Sequence, residues 1–145
     1  EYIIKNSLNL ADIGNDEKTA TYLSGIIAPG NTIDYNQEVS YCLNLGELKG
    51  RAYLYPITSY EKSDDEKNYY DCTKNTNVDN SIVSKITYGK ETDVLKSGEP
   101  LDSSELYEWT TTDNWSFVDG RYPLPDISQN IPQDVWAIVL QKANE

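Results

Sequence analysis

Histidine and methionine are absent from the chain, and phenylalanine occurs once. Without histidine there is no Ser-His-Asp or Cys-His nucleophile system in cis, and 2 cysteines cannot complete the four-ligand set of the usual zinc site. Haem and copper lose their common donors as well, so no cofactor and no metal is expected. Basic residues are scarce: 12 Lys and Arg face 24 Asp and Glu, a formal charge of −12. Such a surface repels phosphate backbones and anionic lipid, which removes nucleic-acid binding from the expected functions. No run approaches the roughly eighteen consecutive apolar residues of a membrane span, so no membrane insertion is expected of this segment. What survives is a binding or structural module, or an enzyme that works with carboxylates alone.

What the chain does have is tyrosine, with 12 Tyr and 3 Trp against the one Phe. Rings with a polar handle suit places where one edge is apolar and the other wet. Together with abundant Asn, Asp, Thr and Ser, this is the composition of extracellular β-rich proteins. At 145 residues the chain is long enough for a core without metal or disulfide staples. It opens on Glu1 and lacks Met, so the expectation is an excised part of a longer exported protein whose signal has been removed.

An internal repeat organises the first half. Ile4-Lys5-Asn6-Ser7-Leu8-Asn9-Leu10-Ala11-Asp12-Ile13 aligns with Val39-Ser40-Tyr41-Cys42-Leu43-Asn44-Leu45-Gly46-Glu47-Leu48 at a constant offset of 35. Leu8/Leu43, Asn9/Asn44 and Leu10/Leu45 are identical. Each copy runs into a second apolar patch, Tyr22 to Ile27 in one and Tyr53 to Ile57 in the other, and a weaker third copy begins at Asn68-Tyr69-Tyr70-Asp71. Short β-prone runs repeating in the thirties predict a β-solenoid, in which equivalent residues stack at strand spacing, ~4.8 Å apart. Leucines would form apolar ladders and Asn9 with Asn44 an amide ladder. Gly25, Gly30, Gly46 and Gly50 are expected at corners that need positive φ.

Beyond about Asn75 the pattern changes. Thr92–Lys96 before Gly98 predicts one helical turn with a glycine stop, and Ser103–Trp109 a second short helix capped by Ser103 or Ser104. Trp115–Val118 and Arg121–Leu124 flank Asp119-Gly120, a two-residue hairpin signal. Val135, Trp136, Val139 and Leu140 recur at helical spacing within Pro132–Ala143, predicting an amphipathic C-terminal helix. The expected architecture is therefore mainly β: degenerate solenoid-like parallel coils over 1–75, a mixed cap with a β-hairpin and short helices over 76–125, and a linker with a short helix over 126–145.

These motifs resemble the GLUG-motif repeat proteins, repetitive surface and secreted proteins found largely in bacteria. The resemblance spans roughly Glu1 to Pro125. It is carried by Ser24-Gly25-Ile26-Ile27, by Val39–Gly50, and by a cap of Ser97-Gly98-Glu99, Trp115 and Asp119-Gly120-Arg121-Tyr122-Pro123-Leu124. Ala28 and Thr58 stand where Gly is usual, and Ser7 replaces the repeat cysteine. The resemblance implies a β-solenoid-like, extracellular or cell-surface scaffold with an adhesive or spacer role, and supplies no catalytic residue. The implied partners are a host or matrix protein, a glycan, and other domains of the parent chain.

Candidate chemistry is thin. An even cysteine count in a secreted chain suggests a Cys42–Cys72 disulfide. If Tyr69 lies over Cys42, however, Cys72 falls three residues along, beyond the ~7 Å Cα reach of a bridge, which leaves two buried free thiols as the alternative. Asp64-Asp65-Glu66 reads as a solvated run, Glu105 with Glu108 as helix decoration, and Asp113 with Asp119 as residues around the hairpin. None can be shown to face another across a cleft as glycosidase chemistry requires, so the chain is read as a non-enzyme. No Asp-x-Asp-x-Asp-Gly calcium loop is present. Gly25 and Gly30 mimic phosphate-loop spacing, but Asn31 stands where lysine is needed. Trp109, Trp115 and Tyr122 form the candidate glycan platform, against the alternative that they pack the cap core.

Overall fold

The computed structural model describes residues 2–27, 37–59, 67–78, 87–101 and 114–145. Among them the chain is mainly β, and it divides into two units, Glu1–Lys90 and Glu91–Glu145.

In the first unit, β1 (Tyr2–Lys5), β2 (Leu8–Asn9), β3 (Ile13–Gly14) and β4 (Leu23–Ser24) form one tier of strands. A second tier holds β5 (Gln37–Ser40), β6 (Leu43–Asn44), β7 (Leu48–Lys49) and β8 (Leu54–Tyr55). Each first-tier strand pairs in parallel with its counterpart. Parallel partners need a long crossover, and here the rest of a tier supplies it. The register is the one the repeat predicts: Ile4 faces Val39, Leu8 faces Leu43, Asn9 faces Asn44 and Ile13 faces Leu48.

Two apolar clusters fill the interior. Val39, Cys42 and Ile57 pack with Ile4, Ile26 and Ile27, while Leu48, Leu54, Tyr70 and Val78 pack with Ile13, Leu23 and Cys72. Leu43 and Leu45 have no exposed surface. Burying a side chain of that size contributes about 1.5–3 kcal/mol, which is what makes this register costly to lose.

The spacing is not constant throughout. At β4 and β8 it falls to 31, with Leu23 opposite Leu54, and a bridge between Ile27 and Thr58 keeps that value. The surplus residues of the first tier are taken up in a turn after β3, where Lys18 N–H donates to Asn15 O (3.0 Å) and Thr19 N–H to Asn15 Oδ1 (3.3 Å).

β9 (Asn68–Asp71) extends the stack, pairing with β6 on one side and with β10 (Thr87–Lys90) on the other. The third copy is thus a strand in parallel register, but Tyr69 faces Leu43 rather than Cys42. The one-residue correction has a cause. Asn68 lies opposite Cys42 and its side-chain amide completes the local hydrogen bonding, accepting from Cys42 N–H (2.9 Å) and donating to Val39 O (2.9 Å).

The corners also differ from expectation. Among the described residues Gly25, Gly46 and Gly50 do not adopt positive φ, and Gly30 lies outside the described residues. Left-handed conformation falls instead on Asn6 (φ 49°), Tyr41 (φ 54°), Lys18 (φ 52°) and Tyr53 (φ 43°). Asn6 and Tyr41 are equivalent corners of the two tiers. Glycine is required for close approach: a Cβ on Gly46 would lie 1.9 Å from Ala11 O, and one on Gly25 2.0 Å from Pro56 O.

In the second unit, α1 (Thr92–Leu95) is the expected single turn, followed by Gly98 at φ +81°. β11 (Trp115–Ser116) pairs antiparallel with β12 (Leu124–Pro125). Asp119-Gly120 does turn the chain, with Arg121 N–H donating to Val118 O (3.1 Å), but it does not close a two-residue hairpin. Only Gly120 has positive φ, the pattern of a type II turn, whereas tight hairpins need the primed types. Gly120 N–H donates to Lys96 O (2.8 Å) and Tyr122 N–H to Ala143 O (3.0 Å), which ties the turn to those two residues.

α2 (Gln133–Asn144) is the predicted C-terminal helix, with Asp134 in its first turn and Lys142 in its last, both favourable to the helix dipole. Trp136, Val139, Leu140 and Ala143 form its more buried stripe, while Val135, expected on that stripe, is exposed. The helix expected over Ser103–Trp109 lies outside the described residues.

Candidate functional site

The structural feature with the most specific chemistry is the contact between tiers. Asn9 Nδ2 donates to Asn44 Oδ1 (2.8 Å) and to Ala11 O (2.7 Å), while Asn9 Oδ1 accepts from Ala11 N–H (3.1 Å). Asn44 Nδ2 is buried and finds no acceptor among the described residues. The amide ladder therefore has a direction, with donors pointing from the first tier to the second.

A polar seam runs beside it. Asp12 Oδ1 accepts from Glu47 N–H (2.9 Å), and Lys49 Nζ bridges Asp12 (3.3 Å) and Asp16 (3.0 Å). The Glu47 amide, with Lys49 alongside, holds the Asp12 carboxyl below its ordinary range; Asp16 and then Asp12 hold the Lys49 ammonium above its own. At the next corner the Tyr22 and Tyr53 rings stack at 4.7 Å and 4° between planes, on the exposed surface.

β9 covers β6, and side chains meet neighbouring backbone groups of the second tier. Asn75 Oδ1 accepts from Leu48 N–H (2.9 Å), and Asn75 Nδ2 donates to Gly46 O (2.9 Å) and Asp71 O (3.0 Å). Lys74 Nζ donates to Leu45 O (3.1 Å). Together with Asn68, these groups supply the hydrogen bonds that a further strand would otherwise make. Nothing in the composition pointed to Asn68 and Asn75 as edge caps; the signal, weak in hindsight, was two asparagines flanking the third repeat strand.

The other candidates fare differently. Neither Cys42 nor Cys72 is in a disulfide, so the bridge considered between them is not made. Cys42 is fully buried with its thiol toward Ser40 O (3.3 Å) and Ile4 O (3.6 Å), and Cys72 lies four positions beyond the residue opposite it. Trp115 is 0% and Tyr122 2% exposed, which corrects their place in a glycan platform: neither ring has a face to offer a sugar. Tyr122 instead carries Lys96 Nζ 4.6 Å from its centroid. Trp109, Glu105, Glu108, Asp113 and Asp64-Asp65-Glu66 lie outside the described residues.

Two further groups shift for reasons of burial. Desolvation raises the Tyr70 phenol, with Cys72 adding to it, and lowers the Arg121 guanidinium, which reaches Ser116 Oγ (2.9 Å) and O (3.3 Å). A cleft among Lys18, Glu47, Lys74 and Asn75 has a volume of ≈ 30 Å³, enough for a water and too small for a sugar ring. Among the described residues no group of three or more His, Cys, Asp or Glu is placed to hold a metal, and no helix is long and apolar enough to cross a membrane. The chain matches no family model, no curated protein and no solved structure.

Proposed function

We propose that the chain is a non-catalytic structural segment, the terminal coils of a short parallel β-solenoid with an attached cap, within a larger secreted or cell-surface protein in which it serves as spacer or adhesive element. The observation that carries this reading is the parallel register of four successive strand pairs in the order of the repeat. A fold made of stacked equivalent rungs needs each rung to bury apolar residues its own coil cannot hide. Leu43, Leu45, Leu48 and Leu54 meet that condition at 0–5% exposure. The spacing shortens from 35 to 31 between the first two tiers and to 26 at β9, so successive coils use fewer residues. Asparagine and lysine side chains satisfy second-tier backbone groups beside β9, a device by which natural sheets avoid open edges.

The test is to display the parent protein, with and without this segment, and measure attachment to host cells and matrix proteins. Loss of attachment on deletion assigns an adhesive role. Unchanged binding with a shortened reach from the surface assigns a spacer. Release of reducing sugars from pooled polysaccharides by the purified chain contradicts the non-catalytic reading.

A further inference from the structure

Two exposed tyrosines stand one above the other at a corner of the first unit. Tyr22 precedes β4 and Tyr53 precedes β8, and the register of that strand pair sets Leu23 opposite Leu54. The ring centroids are 4.7 Å apart, with 4° between the planes. That separation matches the spacing of paired strands, ~4.8 Å, so the two backbones hold the rings over one another. Leu23 N–H donates to Tyr53 O (3.3 Å) and ties the tiers together at this point. Tyr22 is 67% and Tyr53 48% exposed, and neither hydroxyl is hydrogen-bonded among the described residues.

We propose that Tyr22 and Tyr53 form an oxidative modification site, at which a peroxidase acting with hydrogen peroxide joins the two rings by a carbon–carbon bond and staples the first tier to the second. Each phenol gives up one electron and its hydroxyl proton. The peroxide takes up the two electrons and two protons and becomes two waters. The phenoxyl radicals carry spin at the carbons ortho to oxygen, and one such carbon of each ring contributes its electron to the new bond. The hydrogens on those two carbons then move to the phenolic oxygens as the rings regain aromaticity. The product is an ortho-linked dityrosine, two hydrogens lighter than the starting chain.

Stacking is the arrangement this coupling needs. The unpaired spin occupies π lobes perpendicular to the ring, so the bond forms between faces rather than edges. At ordinary contact of about 3.5–4.0 Å between planes, a centroid distance of 4.7 Å leaves the rings partly overlapped. The reacting carbons therefore start near contact, and no bimolecular encounter between tyrosines is required. Exposure admits the oxidant and lets the rings swing apart into the linked geometry after coupling. Tyr69 and Tyr88 form a second ring pair without these features: they are 5.7 Å apart and tilted by 36°, and Tyr69 is buried. Tyr41, Tyr70 and Tyr122 are buried as well. With Cys42 and Cys72 unbridged, the dityrosine gives the chain a covalent tie that its cysteines do not supply, across a loop of 31 residues.

The experiment treats the full chain with a haem peroxidase and limiting hydrogen peroxide, then reads dityrosine fluorescence, intact mass and the linked peptides. The monomer should lose two hydrogens, and the linked peptides should join Tyr22 to Tyr53 ahead of every other pair. Roughly tenfold dilution of the chain should leave the yield in the monomer unchanged, because the coupling is intramolecular. Tyr22→Phe and Tyr53→Phe each keep a ring at the corner and remove the phenol, and each should cut the monomer's fluorescence roughly tenfold. The linked chain should unfold about 10 °C higher, as closing a loop of this size predicts. Linked peptides spread over other tyrosines, a yield that falls with dilution, fluorescence that survives either substitution, or a linked chain that melts no higher would each overturn the assignment.

Discussion

Gly46→Ala is the sharpest local perturbation of the stack. The added methyl would lie 1.9 Å from Ala11 O and 2.5 Å from Ala11 C. A carbon–oxygen contact rests at roughly 3.3–3.6 Å, so the first-tier corner has to retreat by about 1.4 Å. Two tier-to-tier hydrogen bonds flank that corner, Leu45 N–H to Asn9 O and Ile13 N–H to Glu47 O, each 2.9 Å. Straining both costs about 1 kcal/mol apiece, and overpacking adds about 1–3 kcal/mol, for a total of about 3–5 kcal/mol. In a chain of this size the melting temperature should fall by about 6–20 °C. Gly120→Ala is the comparison: its Cβ meets nothing within 4 Å, and the cost is confined to the backbone at φ +80°, about 1–2 kcal/mol. Chemical denaturation of both variants measures the difference. If Gly46→Ala costs no more than Gly120→Ala, the tiers do not approach as closely as described and the reasoning fails.

Asn75→Ala leaves Leu48 N–H and Gly46 O without their partners and should destabilise by about 2–4 kcal/mol in urea titration; a change near zero means the amide is not an edge cap. Lys18, exposed and at φ 52°, should yield about 0.5–1 kcal/mol of added stability on replacement by Gly, and a loss would contradict the left-handed turn. Because the folded-state pKa of Asp12 is depressed below 3.8, its contribution is present above that value and fades as pH falls through the depressed one. The raised pKa of Lys49 makes its share present below 10.5 and lost as pH rises through the folded value. These two groups thus add no pH dependence of their own between those limits, and Asp12→Asn should reduce the acid-side slope modestly, since the pair is solvated; an unaltered slope refutes the pairing. Alkylation without reductant should add two groups to the denatured chain and spare buried Cys42 in the native one, whereas a single disulfide mass contradicts the two free thiols.

The register of the first two tiers was legible because identical residues recur: Leu8, Asn9 and Leu10 could be set over Leu43, Asn44 and Leu45 without reference to anything else. The amide ladder followed from the same superposition. Beyond β3 legibility declined, since the turn at Asn15–Thr19 absorbs residues that alter spacing without altering the rungs it connects. At β9 the pairing slipped by one because a side chain, Asn68, does the work of a backbone group, and pattern matching counts residues rather than hydrogen bonds. The glycines were found in the right places for the wrong reason. Close approach of two backbones at Gly25 and Gly46 depends on the neighbouring tier, whereas positive φ was a local inference, and φ > 0 settled on Tyr41 and Tyr53, which have no local preference for it. The aromatic platform failed similarly: Trp115 and Tyr122 are near each other in sequence and suited to a wet edge, but only burial decides whether a ring offers its face.

The central claim is that the two tiers lie in parallel at the spacing of the repeat. Nuclear Overhauser contacts in an isotopically labelled sample test it directly. Cross-peaks should connect the Asn9 side-chain amide to Asn44 and the Leu8 backbone to Leu43, with companions between Ile13 and Leu48 and between Leu23 and Leu54. Contacts displaced to another register, such as Leu8 with Leu45, or their absence between these strands in the folded protein, would contradict the account.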